Sequence, residues 1–199
     1  VTTLILVRHG ETDWNRERRI QGATDIPLND TGRAQARAAV ENITELLRGA
    51  APIIVASDLS RARETAELIA AGLGTRVARL YPGLRERSYG EAEGIDSTEF
   101  LARFGAWHAV DIPGAEPAHE LRRRAVRTVR AVVRDARREP ERSAAPVIAV
   151  THGGLIREVI RHASAEEFPR EGERIGNGEA YPFLVERERL RMMTAVAVG

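Results

Sequence analysis

The chain opens on Leu4-Ile5-Leu6-Val7, an unbroken apolar, β-rich run that stops at Arg8-His9-Gly10. A run bounded in this way by charge and glycine predicts a strand buried on both faces of a sheet. Ile53 to Ala56 and Val147 to Val150 repeat the pattern, and Arg76 to Leu80 is a further strand candidate. The segments between them change period. Thr31 to Leu47 places Ala34, Ala38, Val40, Ile43 and Leu47 at roughly helical spacing, with a threonine as cap and Gly49 as terminator. Ser57 or Ser60 can cap a second helix reaching about Ala71, and Leu155 to His162 reads as another.

Ala118 to Arg138 carries Leu121, Ala125, Val129, Val132, Val133 and Ala136 on one side and arginines on the other, the pattern of an amphipathic helix. Glu120, Asp135 and Glu139 interleave with those arginines, so the polar side reads as a solvated face rather than a nucleic-acid stripe. In the tail, Ala180 to Glu186 and Leu190 to Val198 alternate as a closing strand pair. Residues 82–117 are rich in glycine, proline and aromatics and have no single period. They read as an insertion, partly helical over Glu99 to Phe104, placed to cover an active site. Strands alternating with helices imply an α/β layer fold, and 199 residues suit one domain.

Composition narrows the chemistry. Thirty basic residues nearly balance 29 acidic ones, so no overall field recruits nucleic acid or an anionic membrane. Every basic residue is an arginine, which excludes Schiff-base catalysis and a phosphate-loop lysine. The absence of cysteine removes thiolate chemistry, disulfides and cysteine-ligated zinc. Leu4 to Val7 is too short for a signal-peptide core and no stretch reaches the length of a membrane span, so a cytoplasmic protein is the expectation.

In open α/β sheets ligands bind beyond the carboxyl ends of strands. Arg8-His9-Gly10 and Thr151-His152-Gly153-Gly154 both follow apolar strands, and Ser57 to Arg63 follows a third. Two histidines and at least two arginines are thereby expected at one edge. Guanidinium forks match phosphate oxygens and stay charged at any working pH, and a neutral imidazole can act as nucleophile. Metal ligation by His9 and His152 is disfavoured, because adjacent arginines repel a cation and no third ligand is apparent.

These residues carry a resemblance. Leu6 to Asn15 is similar to the defining motif of the histidine phosphatase superfamily, also called the phosphoglycerate mutase-like family. Further matches follow in order: Gln21-Gly22, Asp25 to Leu28, Gly32 with Gln35-Ala36, Ser57 through Arg61 to Thr65, Leu84-Arg85-Glu86, Gly90 with Glu93-Gly94, and Thr151 to Gly154. They span nearly the whole chain. The resemblance implies a three-layer α/β/α sandwich with a mostly parallel central sheet. It also implies that His9 is the nucleophile that becomes phosphohistidine, that Arg8, Arg61 and His152 surround the transferred phosphoryl group, and that Glu86 is the general acid and base. Asn15, Gln21, Gly22, Tyr89 and Gly153 are the corresponding substrate-binding positions. For this mechanism His9 should be neutral at the attacking nitrogen, with its other nitrogen held by a backbone carbonyl. Glu86 should hold a proton more readily than an exposed carboxylate.

The family contains both phosphatases and phosphoglycerate mutases. Glu86 to Gly90 is close to the mutase wording, but the lysine and paired arginines that follow it in mutases have no match, and Trp107-His108 stands where the arginine pair is expected. A phosphatase is therefore favoured: a phosphomonoester hydrolase with a small-molecule substrate, no metal and no cofactor. A mutase, or a phosphate-binding module without catalysis, is the alternative. A homodimer is carried by the resemblance alone. His119 and His162 read as surface or helix-face histidines, as does His108, whose place in the insertion leaves a substrate contact open; Arg63 and Arg85 either face phosphate or pair with Glu64, Glu91 or Glu93, and Glu116 has no secure role because Ala115 and Pro117 depart from the family pattern.

Overall fold

The computed structural model describes residues 1–105, 112–170, 172–187 and 189–193. Six strands form one sheet: β1 (Thr2–Arg8), β2 (Ile53–Ala56), β3 (Val77–Leu80), β4 (Val147–Thr151), β5 (Ala180–Val185) and β6 (Leu190–Met192). Their spatial order is β3-β2-β4-β1-β5-β6. The first four run parallel, and β5 and β6 are antiparallel additions at one side. The helices are α1 (Asp13–Arg16), α2 (Asp30–Leu47), α3 (Ser60–Gly72), α4 (Ser97–Phe104), α5 (Ala118–Arg137) and α6 (Gly153–Ala163).

Successive strand residues point to opposite faces, and both faces are covered. Leu4, Leu6, Ile53, Val55, Val147 and Ala149 pack with Leu121, Val129 and Val133 of α5 and Leu155 and Val159 of α6. Ile5, Val7, Ile54, Ala56, Ile148 and Val150 pack with Ile43 of α2 and Ala66 and Ile69 of α3. This is the expected three-layer α/β/α sandwich, and it explains why β1, β2 and β4 read as unbroken apolar runs. A separate small core of Ile20, Ala92, Phe100 and Ile112, flanked by Tyr89, Ile95 and Phe104, organises the segment after β3. Among the described residues no helix is long and apolar enough to cross a membrane.

Several local expectations are corrected. Asn29, not Thr31, caps α2: its side chain accepts from the backbone N–H of Gly32 at 2.9 Å, a contact worth about 1 kcal/mol in such positions. The buried stripe of α2 is Gly32, Ala36, Ala39, Ile43 and Leu47, while Ala34 and Ala38 face solvent. Gly32 belongs to that stripe because α2 meets the backbone after β1 there: a Cβ on Gly10 would lie 2.2 Å from the Gly32 carbonyl oxygen. Neither Ser57 nor Ser60 caps α3, whose N-cap is Leu59 with no side-chain bond. The second tail strand is shorter than expected over the described residues, ending at Met192, and the remainder of the expected strand lies outside them.

Candidate active site

Strand register brings the two histidines together. Arg8 is paired with Thr151 across β1 and β4, so His9 and His152, the next residues along, are neighbours at the carboxyl edge. Their ring centroids are 5.1 Å apart with planes inclined by 60°, and both side chains are buried. His9 Nδ1 lies 2.7 Å from the carbonyl oxygen of Gly10. A carbonyl can only accept, so Nδ1 carries the proton and Nε2 keeps its lone pair. Burial, followed by the charges of Arg61 and Arg8, pushes the His9 pKa well below the ordinary histidine value, against the opposing effect of the Gly10 contact. The backbone around it is fixed as well, since Gly10 N–H donates to Thr65 Oγ1 at 3.1 Å and Asn177 Nδ2 donates to the His9 carbonyl at 3.0 Å.

Arg61, in the first turn of α3, is fully buried. Its Nη1 donates to the carbonyl of Thr24 at 2.7 Å and its Nη2 to that of Gly22 at 2.8 Å. Arg8 Nη1 donates to the carbonyl of Ile175. His152 Nε2 is 2.9 Å from Ser57 Oγ, and burial followed by the charge of Arg61 drives its pKa well down. Among the described residues, three buried side-chain nitrogens nevertheless have no partner: Arg8 Nε, Arg61 Nε and His152 Nδ1. Buried polar atoms are almost always hydrogen-bonded, so three exceptions on residues around one histidine mark this edge as a place for a hydrogen-bonding ligand.

Glu86 approaches the same edge from the loop after β3. Its Oε2 accepts from Gly154 N–H at 2.9 Å and its Oε1 from Arg87 N–H at 2.8 Å. Gly154 lies in the first turn of α6, where backbone N–H groups and the helix dipole favour negative charge. A Cβ at 154 would fall 2.5 Å from Glu86 Oε1, so any other residue there would push the carboxyl group aside. Gly153 lies against Arg8 with more room, since Arg8 Nε would be 3.3 Å from an added Cβ.

The expected substrate-binding residues divide into two groups. Asn15 closes a capping box with Thr12 at the start of α1, and its Oδ1 also lies 3.3 Å from Asn177 Nδ2. With the oxygen engaged, the amide N–H groups are what Asn15 has left to offer a ligand. Tyr89 lies beside Glu86, with the Arg87 guanidinium 5.0 Å from its ring centroid. Burial and the nearby Glu86 push the Tyr89 hydroxyl up to about 12. Gln21 and Gly22 act at one remove: Gln21 Oε1 accepts from Thr12 Oγ1 at 2.9 Å, and Gly22 contributes the carbonyl that holds Arg61.

Other sequence readings change. Arg85 forms a two-pronged pair with Asp58 at 2.7 and 2.6 Å, and Arg63 pairs with Glu67 at 3.6 Å; neither takes Glu64, Glu91 or Glu93. Glu93 instead accepts from Ala23 N–H, Thr24 N–H and Tyr89 N–H, stapling the loop that holds Arg61 to the one that carries Tyr89. Trp107 and His108 lie outside the described residues. The exposed face of α5 forms, with His162, a groove of about 570 Å³ lined by Arg122, Arg123, Arg127, Arg130 and Arg134, and no expected site residue reaches it. Ser57, Thr65, Glu93 and Asn177 were not singled out from sequence, and only the first three stand in matched stretches that could have flagged them. Among the described residues no three His, Asp or Glu side chains are grouped to hold a metal.

An α/β/α sandwich with two adjacent histidines, one fully and one partly buried arginine and a carboxyl group at the carboxyl edge of its central strands defines a class. The chain belongs to the histidine phosphatase superfamily (branch 1), whose family model matches residues 4–193. A metal-independent phosphoserine phosphatase of Arabidopsis thaliana is 34% identical over 168 residues, covering 80% of this chain and 67% of the relative. A 2,3-bisphosphoglycerate-dependent phosphoglycerate mutase of Gloeobacter violaceus is also 34% identical, over 177 residues, covering 82% and 78%. Among solved structures, a mycobacterial glucosyl-3-phosphoglycerate phosphatase superposes with a TM-score of 0.77 at 29% identity, covering 96% of this chain and 97% of that one.

Proposed function

We propose that the chain is a metal-independent phosphomonoester hydrolase, a single domain acting in the cytoplasm, with His9 as nucleophile. The observation that carries this reading is the trio of unpartnered donors, Arg8 Nε, Arg61 Nε and His152 Nδ1, around an imidazole whose Nε2 is free. A phosphoryl group supplies the missing acceptors, and charge developing on its equatorial oxygens is met by groups already in position. Ser57 Oγ can donate to His152 Nε2, which leaves the proton on His152 Nδ1, facing the phosphoryl oxygens.

In the first step His9 Nε2 forms the bond to phosphorus as the ester oxygen leaves, and Glu86, which takes up a proton from solvent as the negatively charged phosphoryl group enters beside it, delivers that proton to the leaving oxygen. In the second, water attacks the phosphohistidine, Glu86 takes a proton from the water, and inorganic phosphate departs with His9 restored. The described parts of the segment after β3, residues 82–105 and 112–117, border the leaving group and so govern which ester is accepted.

Interconversion of phosphoglycerates is the second reading, favoured by the Arg87–Tyr89 pair beside Glu86 and by the mutase relative. One experiment separates the two: incubation with 3-phosphoglycerate and with a generic phosphomonoester, in the presence of a chelator, measuring isomerisation and released phosphate. Phosphate release that survives the chelator is expected. Efficient isomerisation with little free phosphate would reverse the order. His9→Ala should abolish both turnover and acid-labile phosphate labelling, and turnover retained in that variant would end the nucleophile assignment.

A further inference from the structure

Glu116, left without a role by the sequence, meets Arg124 of α5 in a two-pronged pair: Nε donates to Oε1 at 2.8 Å and Nη2 to Oε2 at 2.6 Å. The two side chains are about four-fifths buried, at 20% and 18% exposure. Arg124 has three further donors, and each is directed into the turn that carries Glu86. Nη1 donates to the carbonyls of Gly83 at 2.9 Å and Arg85 at 2.8 Å, and Nη2 to the carbonyl of Glu86 itself at 3.2 Å. All five N–H groups of the guanidinium are thereby used.

Glu116 extends the clamp to the far side of Glu86. Its carbonyl accepts from Arg87 Nε at 2.7 Å and its N–H donates to the Ser88 carbonyl at 2.9 Å. Thr151 Oγ1 at the end of β4 donates to the Leu84 carbonyl at 2.7 Å, fixing the same turn to the strand that leads to His152. Residues 83–88 are therefore held from α5 and from β4, while the Glu86 carboxyl group projects from the turn onto Gly154.

We infer that Arg124, locked by Glu116, is a positioning residue that sets where Glu86 delivers its proton. This rests on the reading of Glu86 as general acid. A lysine at 124 keeps the charge but has three donors on a single nitrogen, and it cannot span one carboxylate and three carbonyls. The turn would then sample other positions, and proton delivery depends on placement to within a fraction of an ångström.

A displaced general acid leaves a kinetic signature that general loss of folded protein does not. An alkyl phosphate has a poor leaving group and needs the proton. A nitrophenyl phosphate releases its leaving group as a stable phenolate anion and needs it far less. In Arg124→Lys, kcat/KM for an alkyl phosphomonoester should fall about 10-fold to 100-fold, with a change of under about 3-fold for 4-nitrophenyl phosphate. Glu86→Gln should show the same selectivity, and adding Arg124→Lys to it should lower the alkyl-to-aryl ratio no further. Equal losses on both esters, no loss on either, or an additive effect in the double variant would each overturn the positioning role. If Glu86→Gln itself does not change the ratio, it is the general-acid reading that fails. Should Arg124→Lys not fold, Glu116→Gln, which weakens the same clamp without adding bulk, takes the same test with the same criteria.

Discussion

Two arginine environments lie on either side of Glu86, and they are built on opposite principles. Arg124 spends all five N–H donors on protein oxygens. Arg61 is fully buried and Arg8 half-buried, yet each keeps a buried Nε with no partner. A saturated guanidinium has nothing to offer a ligand and serves to hold backbone. An unsaturated one is expensive to bury, and the folded chain carries that cost where an anion can repay it. Burial lowers the pKa of both Arg8 and Arg61, and the same burial forces down the two histidines beside them. Arg123 and Arg127, on the exposed face of α5, form a third environment that is open to solvent.

The largest expected effect comes from removing an unsaturated guanidinium. Arg61→Gln should lower kcat by about 10²-fold to 10³-fold, the scale found for deleting one donor to developing negative charge. The contrast with Arg124 lies in the response to phosphate. Inorganic phosphate at about 100 times its dissociation constant should stabilise the wild-type chain by roughly 3 kcal/mol, read as a rise in Tm. Arg61→Gln should lose most of that rise and Arg124→Lys should keep it. An equal phosphate response in the two variants would erase the distinction between the two environments.

Next in size is the pH dependence of the pocket. The folded-state pKa values of His9 and His152 lie well below 6.5, so below that pH the unfolded chain binds protons that the folded chain refuses. The stability is fully present above about pH 6.5 and falls as the pH is lowered toward the depressed values, by about 1 kcal/mol per pH unit for each histidine. Denaturant unfolding between pH 7.5 and pH 5.5 measures this. The fall should be smaller with saturating phosphate, whose charge favours the protonated rings. A flat profile would mean that the pocket opens to water and the imidazoles are not enclosed as described.

The smallest effect is expected from the solvated environment. Arg127→Gln, on the exposed face of α5, should leave kcat/KM unchanged and stability within about 0.5 kcal/mol. A marked loss would place that groove in the working part of the molecule.

The comparison also marks where sequence reading stops. Arg122, Arg123 and Arg124 are consecutive, and nothing in their order says which turns inward. The helical phase set by Leu121, Ala125 and Thr128 puts Arg124 at the border of the buried face, but only the turn after β3, packed against α5, supplies the carbonyls that claim it. Asn29 displaced Thr31 as the cap of α2 for a related reason. The loop leading into that helix is held by Glu11, to whose carbonyl Asn29 N–H donates at 3.0 Å, and a side chain's chance of capping depends on where the chain enters.

What the sequence by itself determined is the main strands and helices and the positions of the groups proposed to react. Apolar runs enclosed on both faces announce themselves without period, and Arg8-His9-Gly10, Arg61, Glu86 and His152-Gly153 each stand where a strand or turn has just ended. What only the tertiary structure decided is which polar atoms meet. Ser57 reaches His152 across 95 positions because β2 lies beside β4 with Ala56 level with Val150. His9 reaches His152 because β4 also lies beside β1. Local sequence fixes the period of each element, whereas strand order and register are set by the packing of all of them at once. The partners of a buried side chain, and the donors left without one, follow from that packing.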